Sequence, residues 1–352
     1  MRMLDVGLIG YGLGGRRFHA PVIAAVEGLR LAAVVQRNAE TAKEDFPGVH
    51  VVRSVEELLA INSIRLTVIA TPNSSHYPLA KHCLESGRDV IVDKPFTNSV
   101  AEASELLSLA RRLGRVLTVY HNRRFDADFQ ALRCVVASGE LGRVLRFENT
   151  YDRFRPEPKP GAWREQPGPG SGVLFDLGPH LIDQALVLLG KPDFVWADVR
   201  TERKGIVTDD AFDVLLGYRG GVRALLRATM LGAAARPRFA VLGTRACYRK
   251  QGFDLLEPSL REGKVPQGED WMLEQEENWA EIVRVDSSSS ERRKVASRGD
   301  WREFYANVRD AIVRNAPLLV TPRQVMDVMA GLELAQESSA KRAAVAWRNM
   351  DF

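Results

Sequence analysis

Short apolar runs alternate with longer amphipathic runs over the first third of the sequence, and this alternation constrains the fold more than any other feature. Runs rich in apolar and β-branched residues predict buried strands, and the stretches between them carry apolar residues at helical spacing. Alternating strands and helices build a parallel sheet with right-handed crossovers and helices on both faces. The predicted strands are residues 4–9, 31–35, 66–70, 90–92 and 116–120, and the predicted helices are residues 16–27, 54–61, 75–86 and 99–113.

The pattern changes after about residue 121, which indicates a second domain. Consecutive strands without intervening helices predict a largely antiparallel sheet. Residues 155–172 form a Pro- and Gly-rich stretch that is longer than most connections within a domain, and such loops often carry function. Residues 251–298 are polar and weakly periodic, and no element is predicted there. The predicted helices are residues 128–138, 177–189, 301–315 and 322–343, and the predicted strands are residues 144–151, 194–203, 211–218, 222–230 and 239–242.

The charge balance and the cysteines exclude several classes of protein. The chain has 49 Lys and Arg against 45 Asp and Glu, and its basic residues are scattered rather than gathered into the stripe that nucleic acid needs. No run approaches the roughly 18 apolar residues of a membrane span, and the first residues lack the features of a signal peptide. The three cysteines, Cys83, Cys134 and Cys247, form no metal-binding cluster. We expect a cytoplasmic protein that binds no metal, nucleic acid or membrane.

A glycine turn follows the first predicted strand. Gly10, Gly12 and Gly15 fit the pattern G-x-G-x-x-G, and Leu13 lies within it. The first glycine permits a tight turn, the second lets a pyrophosphate approach bare backbone, and the third lets the helix pack closely on the strand. The N-terminus of the next helix then offers free N–H groups to the phosphates. The alternative is an ordinary turn, but the position between strand and helix favours a Rossmann domain that binds a dinucleotide.

The end of the second predicted strand distinguishes NADP from NAD. An acidic residue there normally binds the ribose 2′-hydroxyl of NAD. This strand is followed instead by Gln36 and Arg37, and no carboxylate stands at its tip. A guanidinium can pair with a 2′-phosphate, so we expect NADP, with NAD the less favoured cofactor. The alternative is that Arg37 is only a solvated turn residue.

Two further segments carry residues suited to proton transfer. Lys94 follows a strand at the carboxyl edge of the parallel sheet, where ligands of such sheets bind. Asp176, His180 and Asp183 have spacings that place them on roughly one face of a helix. A histidine titrates near neutral pH and can take and return an alcohol proton. Each residue also has a structural alternative, and spacing alone does not bring the two segments together.

Together these motifs resemble the Gfo/Idh/MocA family of oxidoreductases over nearly the whole chain. The resemblance rests on the glycine turn, on Thr71-Pro72-Asn73 with His76, on Asp93-Lys94-Pro95, and on the block from Gly172 to Asp183. It implies an α/β fold in which residues 1–121 form the Rossmann domain with a doubly wound parallel sheet. Residues 122–352 would form an α/β domain with an open, mainly antiparallel sheet that binds substrate and builds a homodimer or homotetramer.

The resemblance also implies roles for individual residues. Lys94 would polarise the reacting oxygen, His180 would act as general base, and Asp176 would bind substrate or support His180. The family usually has Glu where this chain has Asp93, and its Lys-Pro bond is often cis. The residues expected at the cofactor are Gly10, Gly12, Leu13, Gly15, Gln36, Arg37, Thr71, Pro72, Asn73, His76, Asp93 and Lys94.

Within the family, residues 120–124, 151–157 and 163–165 are most similar to NADP-dependent scyllo-inositol dehydrogenases. This implies hydride transfer between NADP and a secondary alcohol or ketone carbon of a polyol such as scyllo-inositol. The alternatives are an aldose dehydrogenase or reductase, an NADP-binding regulator without chemistry, and an NAD-dependent glycoside hydrolase. The expected substrate contacts are Asn122, Arg123, Arg153, Arg155, Trp163, Arg164 and Asp183.

Overall fold

The computed structural model describes residues 3–158, 161, 163–268, 271, 273–285 and 289–352, and for Trp163 only the backbone. In this part of the chain, six parallel strands form a first sheet in the order β3-β2-β1-β4-β5-β6. The strand order reverses between β1 and β4, and such a reversal opens a crevice at the carboxyl ends of the strands. These strands are β1 (Leu4–Ile9), β2 (Leu29–Val35), β3 (His50–Val52), β4 (Ile64–Ile69), β5 (Asp89–Val92) and β6 (Leu117–Val119).

The helices of this first part lie between the strands, as the alternation predicts. Local caps set several of their ends: Ser54 and Ser99 each accept a hydrogen bond from the backbone N–H three residues on. The short strand β3 and the helix before it are not predicted from sequence, because three and five residues are too few for a clear period. The helices are α1 (Ala20–Ala24), α2 (Thr41–Asp45), α3 (Val55–Leu59), α4 (His76–Glu85) and α5 (Val100–Leu113), and a helical turn, Gly14–His19, precedes α1.

Nine strands of the described residues form a second sheet, in the order β14-β13-β12-β11-β7-β10-β9-β8-β15. Only β7 and β10 pair in parallel within it, so the predicted mainly antiparallel sheet is confirmed. Exposed polar residues dominate β14, which is why no strand is predicted there. The strands are β7 (Val144–Asp152), β8 (Phe194–Arg200), β9 (Ala211–Gly217), β10 (Arg223–Thr229), β11 (Phe239–Gly243), β12 (Cys247–Lys250), β13 (Ala280–Val285), β14 (Ser290–Val295) and β15 (Val345–Ala346).

The long helix α7 (Gly172–Leu189) packs against this sheet. It begins five residues before the predicted start, because Asp209 satisfies its first N–H groups. The Asp209 backbone oxygen accepts from Val173 N at 2.9 Å and its Oδ2 accepts from Leu174 N at 2.7 Å. By length and composition α7 could cross a membrane, but 72% of it is buried inside the protein, as in a core helix. The other helices of this part are α6 (Ala127–Ala137), α8 (Leu256–Arg261), α9 (Arg302–Arg314) and α10 (Pro322–Lys341).

The last two helices fold back onto the first sheet. Thr118 Oγ1 of β6 donates to Val320 O at 2.8 Å, and Tyr305 of α9 lies with its hydroxyl 2.5 Å from Nδ1 of the buried His19. The Tyr120 ring packs against three aromatic rings from residues 301–305. These contacts fix the two sheets on either side of one cleft.

Candidate active site

A cleft of about 1300 Å³ runs between the two sheets. It extends from Arg37 at the end of β2, past the glycine turn, to Lys94, Asp176 and His180. Small-molecule sites commonly measure 300–1,000 Å³, so this volume suits a dinucleotide together with a small substrate. The cleft lies at the carboxyl ends of the parallel strands, where the sequence predicts it.

The glycine turn has the geometry that a dinucleotide requires. Gly10 has a left-handed φ of 99°, and a Cβ at Gly15 would lie 2.0 Å from Gly10 O, so both positions need glycine for packing. A Cβ at Gly12 would meet nothing within 4 Å, and Gly12 and Leu13 line the cleft. Bare backbone therefore faces open space at the position where a pyrophosphate would approach, and the described residues fit a nicotinamide dinucleotide.

The loop after β2 forms the far end of the cleft. Gln36 lines it, but its side chain is held by Thr41 Oγ1 and Ala42 N, both at 2.9 Å. Arg37 is exposed on the same edge. Arg53, which the sequence analysis did not single out, donates to Gln36 O at 3.0 Å and pairs with Glu40 at 2.6 Å. Arg53 thus fixes the loop, and Arg37 stays exposed at the end of the cleft.

Three expected cofactor residues lie behind the cleft surface rather than on it. Thr71, Pro72 and Asp93 are lining residues, whereas Gly15, Asn73 and His76 are not among them. Asn73 Nδ2 donates to Gly170 O at 2.6 Å. The buried His76 ring lies between Pro95 O, at 2.7 Å, and Thr71 O, at 2.9 Å. In the described structure these three residues support the wall from behind its surface.

Lys94 and Asp176 meet across the cleft although 82 residues separate them. Lys94 Nζ donates to Asp176 O at 2.5 Å and to Asp176 Oδ1 at 3.0 Å. Asp93 Oδ1 accepts from Lys94 N at 2.8 Å, so the acid before the lysine holds its backbone despite being shorter than the family's usual Glu. The Lys94–Pro95 bond is cis, as the resemblance implies.

Asp176 is surrounded by cations. Besides Lys94, Arg164 Nε lies 3.1 Å from its Oδ1 and Arg153 Nη1 lies 3.6 Å from its Oδ2. Burial opposes ionisation, but Lys94, Arg164 and Arg153 outweigh it and hold the pKa of Asp176 well below its usual range. Asp176 is therefore a carboxylate at neutral pH. Its described partners are cations, which favours a role in holding Lys94 over one in supporting His180.

His180 lies one turn after Asp176 on α7 and lines the cleft. Burial lowers the pKa of its imidazole well below the ordinary value, and the positive charges of Lys94 and Arg123 lower it further. The ring is therefore neutral near pH 7. Its Nδ1 has no hydrogen-bond partner in the described part of the chain. A buried, neutral imidazole beside Lys94 can accept a proton from a bound alcohol.

The substrate end of the cleft contains several of the other predicted residues. Arg123 donates to Tyr151 OH at 2.9 Å and to Asp126 Oδ2 at 3.0 Å. Arg153 stacks over the Tyr151 ring at 4.9 Å. The side chain of Trp163 lies outside the described residues. The remaining expected contacts that line the cleft are Asn122, Arg155 and Arg164.

Asp183 is placed elsewhere. Both of its oxygens accept hydrogen bonds from Arg124, at 2.6 and 2.7 Å, and the pair is buried away from the cleft lining. It shares a helix face with Asp176, but seven residues along a helix correspond to about 10 Å. That distance carries Asp183 into the protein interior, where Arg124 rather than the cleft lies against its carboxylate.

The helix α8 supplies two cleft residues that sequence analysis missed, Glu257 and Arg261. Glu257 accepts hydrogen bonds from Arg123 and, at 2.8 Å, from Arg261 Nε. Arg261 also lies over the Phe18 ring at 5.1 Å. The i,i+4 spacing of this pair is a helix signal, but it lies in a polar segment, and nothing local indicates that α8 reaches the cleft.

Dehydrogenases that use a nicotinamide cofactor divide a cleft in this way, with a dinucleotide cradle on one wall and proton-transfer groups on the other. Comparisons with known proteins agree with this class. Residues 4–121 match the model of an oxidoreductase family with an NAD-binding Rossmann fold, and residues 129–249 match the GFO/IDH/MocA C-terminal domain. The chain belongs to the Gfo/Idh/MocA family of oxidoreductases.

Individual relatives cover almost the whole chain. The uncharacterised oxidoreductase YdgJ of Escherichia coli is 42% identical over 97% of this chain and 98% of its own length. The scyllo-inositol 2-dehydrogenase (NADP(+)) IolW of Bacillus subtilis is 32% identical over 97% of this chain and 95% of its own. The solved structure of the yvaA protein of Bacillus subtilis has a TM-score of 0.95 and 32% identity, and the match covers 99% of both chains.

Proposed function

We propose that this protein is an NADP-dependent dehydrogenase that acts on a secondary alcohol or ketone carbon of a polyol such as scyllo-inositol. The observation that carries this proposal is the convergence of Lys94, Asp176 and His180 at one end of a cleft whose other end is the glycine turn. The name of the relative IolW, a scyllo-inositol 2-dehydrogenase (NADP(+)), supports this choice of substrate.

The residues of the chain divide the chemistry among them. In alcohol oxidation Lys94 donates a hydrogen bond to the reacting oxygen, while the Asp176 carboxylate orients its ammonium group. His180, which burial keeps neutral, takes the hydroxyl proton as the carbon–oxygen double bond forms. In the reverse direction the protonated His180 returns that proton to the oxygen. The nicotinamide, when bound, would accept or supply the hydride.

The preference for NADP rests on the loop after β2. Arg37 is exposed at the end of the cleft. Arg53 holds the loop in place through a hydrogen bond to Gln36 O and an ion pair with Glu40. A carboxylate that would repel a 2′-phosphate is missing from the tip of β2 in the described structure. A guanidinium there supports a charge-assisted contact with that phosphate.

The alternatives act through the same cleft. An aldose dehydrogenase or reductase would use the same three residues and differ only in the groups that face the sugar. A regulator that binds NADP without chemistry has no need of a lysine held by a buried carboxylate beside a neutral imidazole, so the geometry favours an enzyme. Among the described residues, no contact in the cleft favours glycoside hydrolysis over these functions.

We also infer a homodimer or homotetramer in the cytoplasm. The open face of the nine-stranded sheet mixes apolar side chains with charged pairs. Trp196, which is 39% exposed, lies in register with Leu215, and Arg227 lies 3.3 Å from Asp213. Such a face is suited to a second copy of the chain. All three cysteines are free thiols, which suits a reducing compartment. Light scattering of the purified protein tests the assembly, and a monomer would contradict it.

The absorbance of reduced nicotinamide tests the activity directly. Purified protein is mixed with NADP or NAD and a panel of inositols and aldoses. Reduction of NADP by scyllo-inositol, with NAD much poorer, is the expected result. Reduction of NADP by an aldose and by no inositol would support the proposed mechanism and exclude scyllo-inositol as the substrate. Tight NADPH binding with no turnover of any member would contradict the proposed function and favour the regulator.

A further inference from the structure

Two buried polar side chains lie behind Asp93, the residue that precedes Lys94. The His19 ring is completely buried, and it stands between groups from two distant parts of the chain. Its Nδ1 lies 2.5 Å from the hydroxyl of Tyr305 in α9, and its Nε2 lies 3.7 Å from Asp93 Oδ2. The chemistry proposed above assigns no role to His19 or Tyr305.

The neighbours of His19 indicate which of its ring nitrogens carries a proton. Burial raises the pKa of Tyr305 well above its ordinary value, and the negative charge of Asp93 raises it further. The Tyr305 hydroxyl therefore keeps its proton at neutral pH and can donate it to Nδ1. If Nε2 carried no proton, its lone pair would face the Asp93 carboxylate and the two would repel each other. These contacts favour a proton on Nε2, directed toward Asp93.

The Asp93 carboxylate is the acceptor that faces this proton. Burial opposes its ionisation, but His19 and Lys94 outweigh burial and lower the pKa of Asp93 to about 2. Asp93 Oδ1 already accepts from Lys94 N at 2.8 Å, which leaves Oδ2 for His19. The other nearby histidine, His76, does not compete, because both of its ring nitrogens face backbone oxygens.

The contact between His19 and Asp93 is close to a hydrogen bond but not yet within its distance range. His19 Nε2 has no hydrogen-bond partner among the described residues, and a buried donor without a partner is costly. Asp93 lines the cleft, whereas His19 does not. Hydrogen bonds in active sites are often long before a ligand binds and shorten when it does. A small rotation of the Asp93 carboxyl group would complete this one.

We propose that His19 is a positioning residue for the reaction: its Nε2–H holds the Asp93 carboxylate, which in turn holds the backbone of Lys94. Tyr305 fixes the His19 ring from the other side. This inference rests on the dehydrogenase function proposed above. It connects the helical turn after the glycines, and helix α9 near the end of the chain, with the lysine that meets the reacting oxygen.

Two amide substitutions distinguish the two nitrogens of the His19 ring. The amide of Gln reaches about as far as Nε2, whereas the shorter amide of Asn occupies about the place of Nδ1. His19→Gln therefore keeps a donor for Asp93, and His19→Asn keeps a partner for Tyr305 but loses that donor. We expect kcat to fall roughly 10-fold or more in His19→Asn and to stay within about 3-fold of the wild type in His19→Gln.

Rates of NADP reduction and NADPH fluorescence titration measure these effects. The KM for the substrate and the Kd for NADPH should change little in both variants, because Lys94 is misplaced rather than lost. A role in packing alone, or in the bond to Tyr305, predicts the opposite order of the two variants or equal losses. Either of these results would overturn the inference.

A double-mutant cycle with Asp93→Asn tests whether His19 acts through Asp93. Once the carboxylate is gone, His19→Asn should lower kcat by much less than it does in the wild-type background, since both changes break one hydrogen bond. The same fall in both backgrounds would contradict the proposed connection.

Removal of one buried hydroxyl group tests the far end of the network. Tyr305→Phe should lower kcat roughly 3-fold or more, because the His19 ring loses the donor that fixes it. Tyr248→Phe is the matched control. Tyr248 is also buried and its hydroxyl donates to Asp128 O at 3.4 Å, but it lies outside the cleft lining. It should turn over as the wild type does, and equal losses in the two variants would count against Tyr305.

The ¹⁵N NMR signals of the histidine rings report the protonation of His19 without any turnover. The signal of His19 is identified by its loss in His19→Gln. A proton on Nε2 would support the hydrogen bond to Asp93, and an Nε2 without a proton would overturn it.

The outcomes separate this inference from the proposed function. Turnover by His19→Asn at the wild-type rate would overturn the role of His19 and leave the dehydrogenase standing. No turnover of any compound by the wild-type protein would count against the dehydrogenase, and the ¹⁵N spectrum would then decide by itself whether His19 holds Asp93.

Discussion

The two walls of the cleft are built in different ways. The wall of the parallel sheet presents backbone and small residues, with Gly10, Gly12 and Gly15 contained in six consecutive residues. The wall of the mixed sheet presents charged side chains whose partners are distant, such as Arg123 and Glu257, which are 134 residues apart. The first wall offers bare backbone to a pyrophosphate, whereas the second offers charged side chains to a ligand.

This difference teaches how the two kinds of recognition are encoded. A backbone cradle depends on local conformation, so a few adjacent residues suffice to specify it. A charged pocket depends on which side chains the fold brings together and on how burial changes their ionisation. Changes at the backbone cradle of the first wall should therefore affect cofactor binding or folding. Changes at the charged side chains of the second wall, or at Lys94, which reaches across from the first wall to pair with Asp176, should affect turnover and substrate choice.

Replacement of Lys94 should give the largest effect. Lys94→Ala removes the donor to the reacting oxygen, and we expect kcat to fall about 100-fold or more, while the Kd for NADPH stays close to the wild-type value. Steady-state rates and NADPH fluorescence titration measure the two quantities. Lys81→Ala is the control, because Lys81 forms an exposed ion pair with Glu105 on the first part of the chain. Turnover by Lys94→Ala at the wild-type rate would show that Lys94 has no part in the reaction.

Two glycines three residues apart should separate folding from binding on the cofactor wall. Gly15→Ala forces a methyl group to within 2.0 Å of Gly10 O, and we expect it to lower the free energy of unfolding by about 1–3 kcal/mol, as overpacking does. Gly12→Ala meets nothing within 4 Å, so its stability should match the wild type while its Kd for NADPH rises. Urea unfolding and NADPH titration of both variants check this. Equal free energies of unfolding for Gly15→Ala and Gly12→Ala would contradict the separate roles of the two glycines in folding and in binding.

Arg37→Asp should change the choice of cofactor without affecting the second wall. The new carboxylate repels a 2′-phosphate and can bind a ribose hydroxyl, so we expect the ratio of kcat/KM for NADP to that for NAD to fall roughly tenfold or more. Rates with both cofactors and one substrate measure it. The KM for the substrate should not move. If the cofactor ratio stays as it is, Arg37 does not contact the 2′-phosphate.

The smallest effect concerns Asp209, which caps α7 on the second wall. Burial raises the pKa of Asp209 from 3.8 to about 6. Between these pH values the folded protein keeps a proton that the unfolded chain has released, so this group makes stability fall as the pH rises from about 4 to about 6, with no further change above. Asp209→Asn cannot titrate but still accepts from Leu174 N. The difference in unfolding free energy between wild type and variant should follow that slope in urea titrations, and a difference independent of pH would contradict it.

The sequence predicts the first wall far better than the second. The alternation of strands and helices and the glycine spacing are local signals, and the parallel sheet and the turn follow from them. The pairing of Lys94 with Asp176 could be expected only from the resemblance, since no local pattern joins residues 82 positions apart. Glu257 and Arg261 were not predicted because the polar segment around α8 lacks periodicity. The interior position of Asp183 was not predicted either, because spacing gives a helix face but not the depth of burial.

The return of the last helices to the first sheet has a consequence for how the protein is made. Thr118 donates a hydrogen bond to Val320, which lies 202 residues later in the chain. The Tyr120 ring can pack only after the aromatic residues in 301–305 have been synthesised. Ribosomes add about 5–20 residues per second, so this surface of the nascent chain stays uncovered for roughly 10 to 40 s. During synthesis the part that emerges first is thus the last to complete its packing, and a chaperone that shields apolar surface has its natural client there.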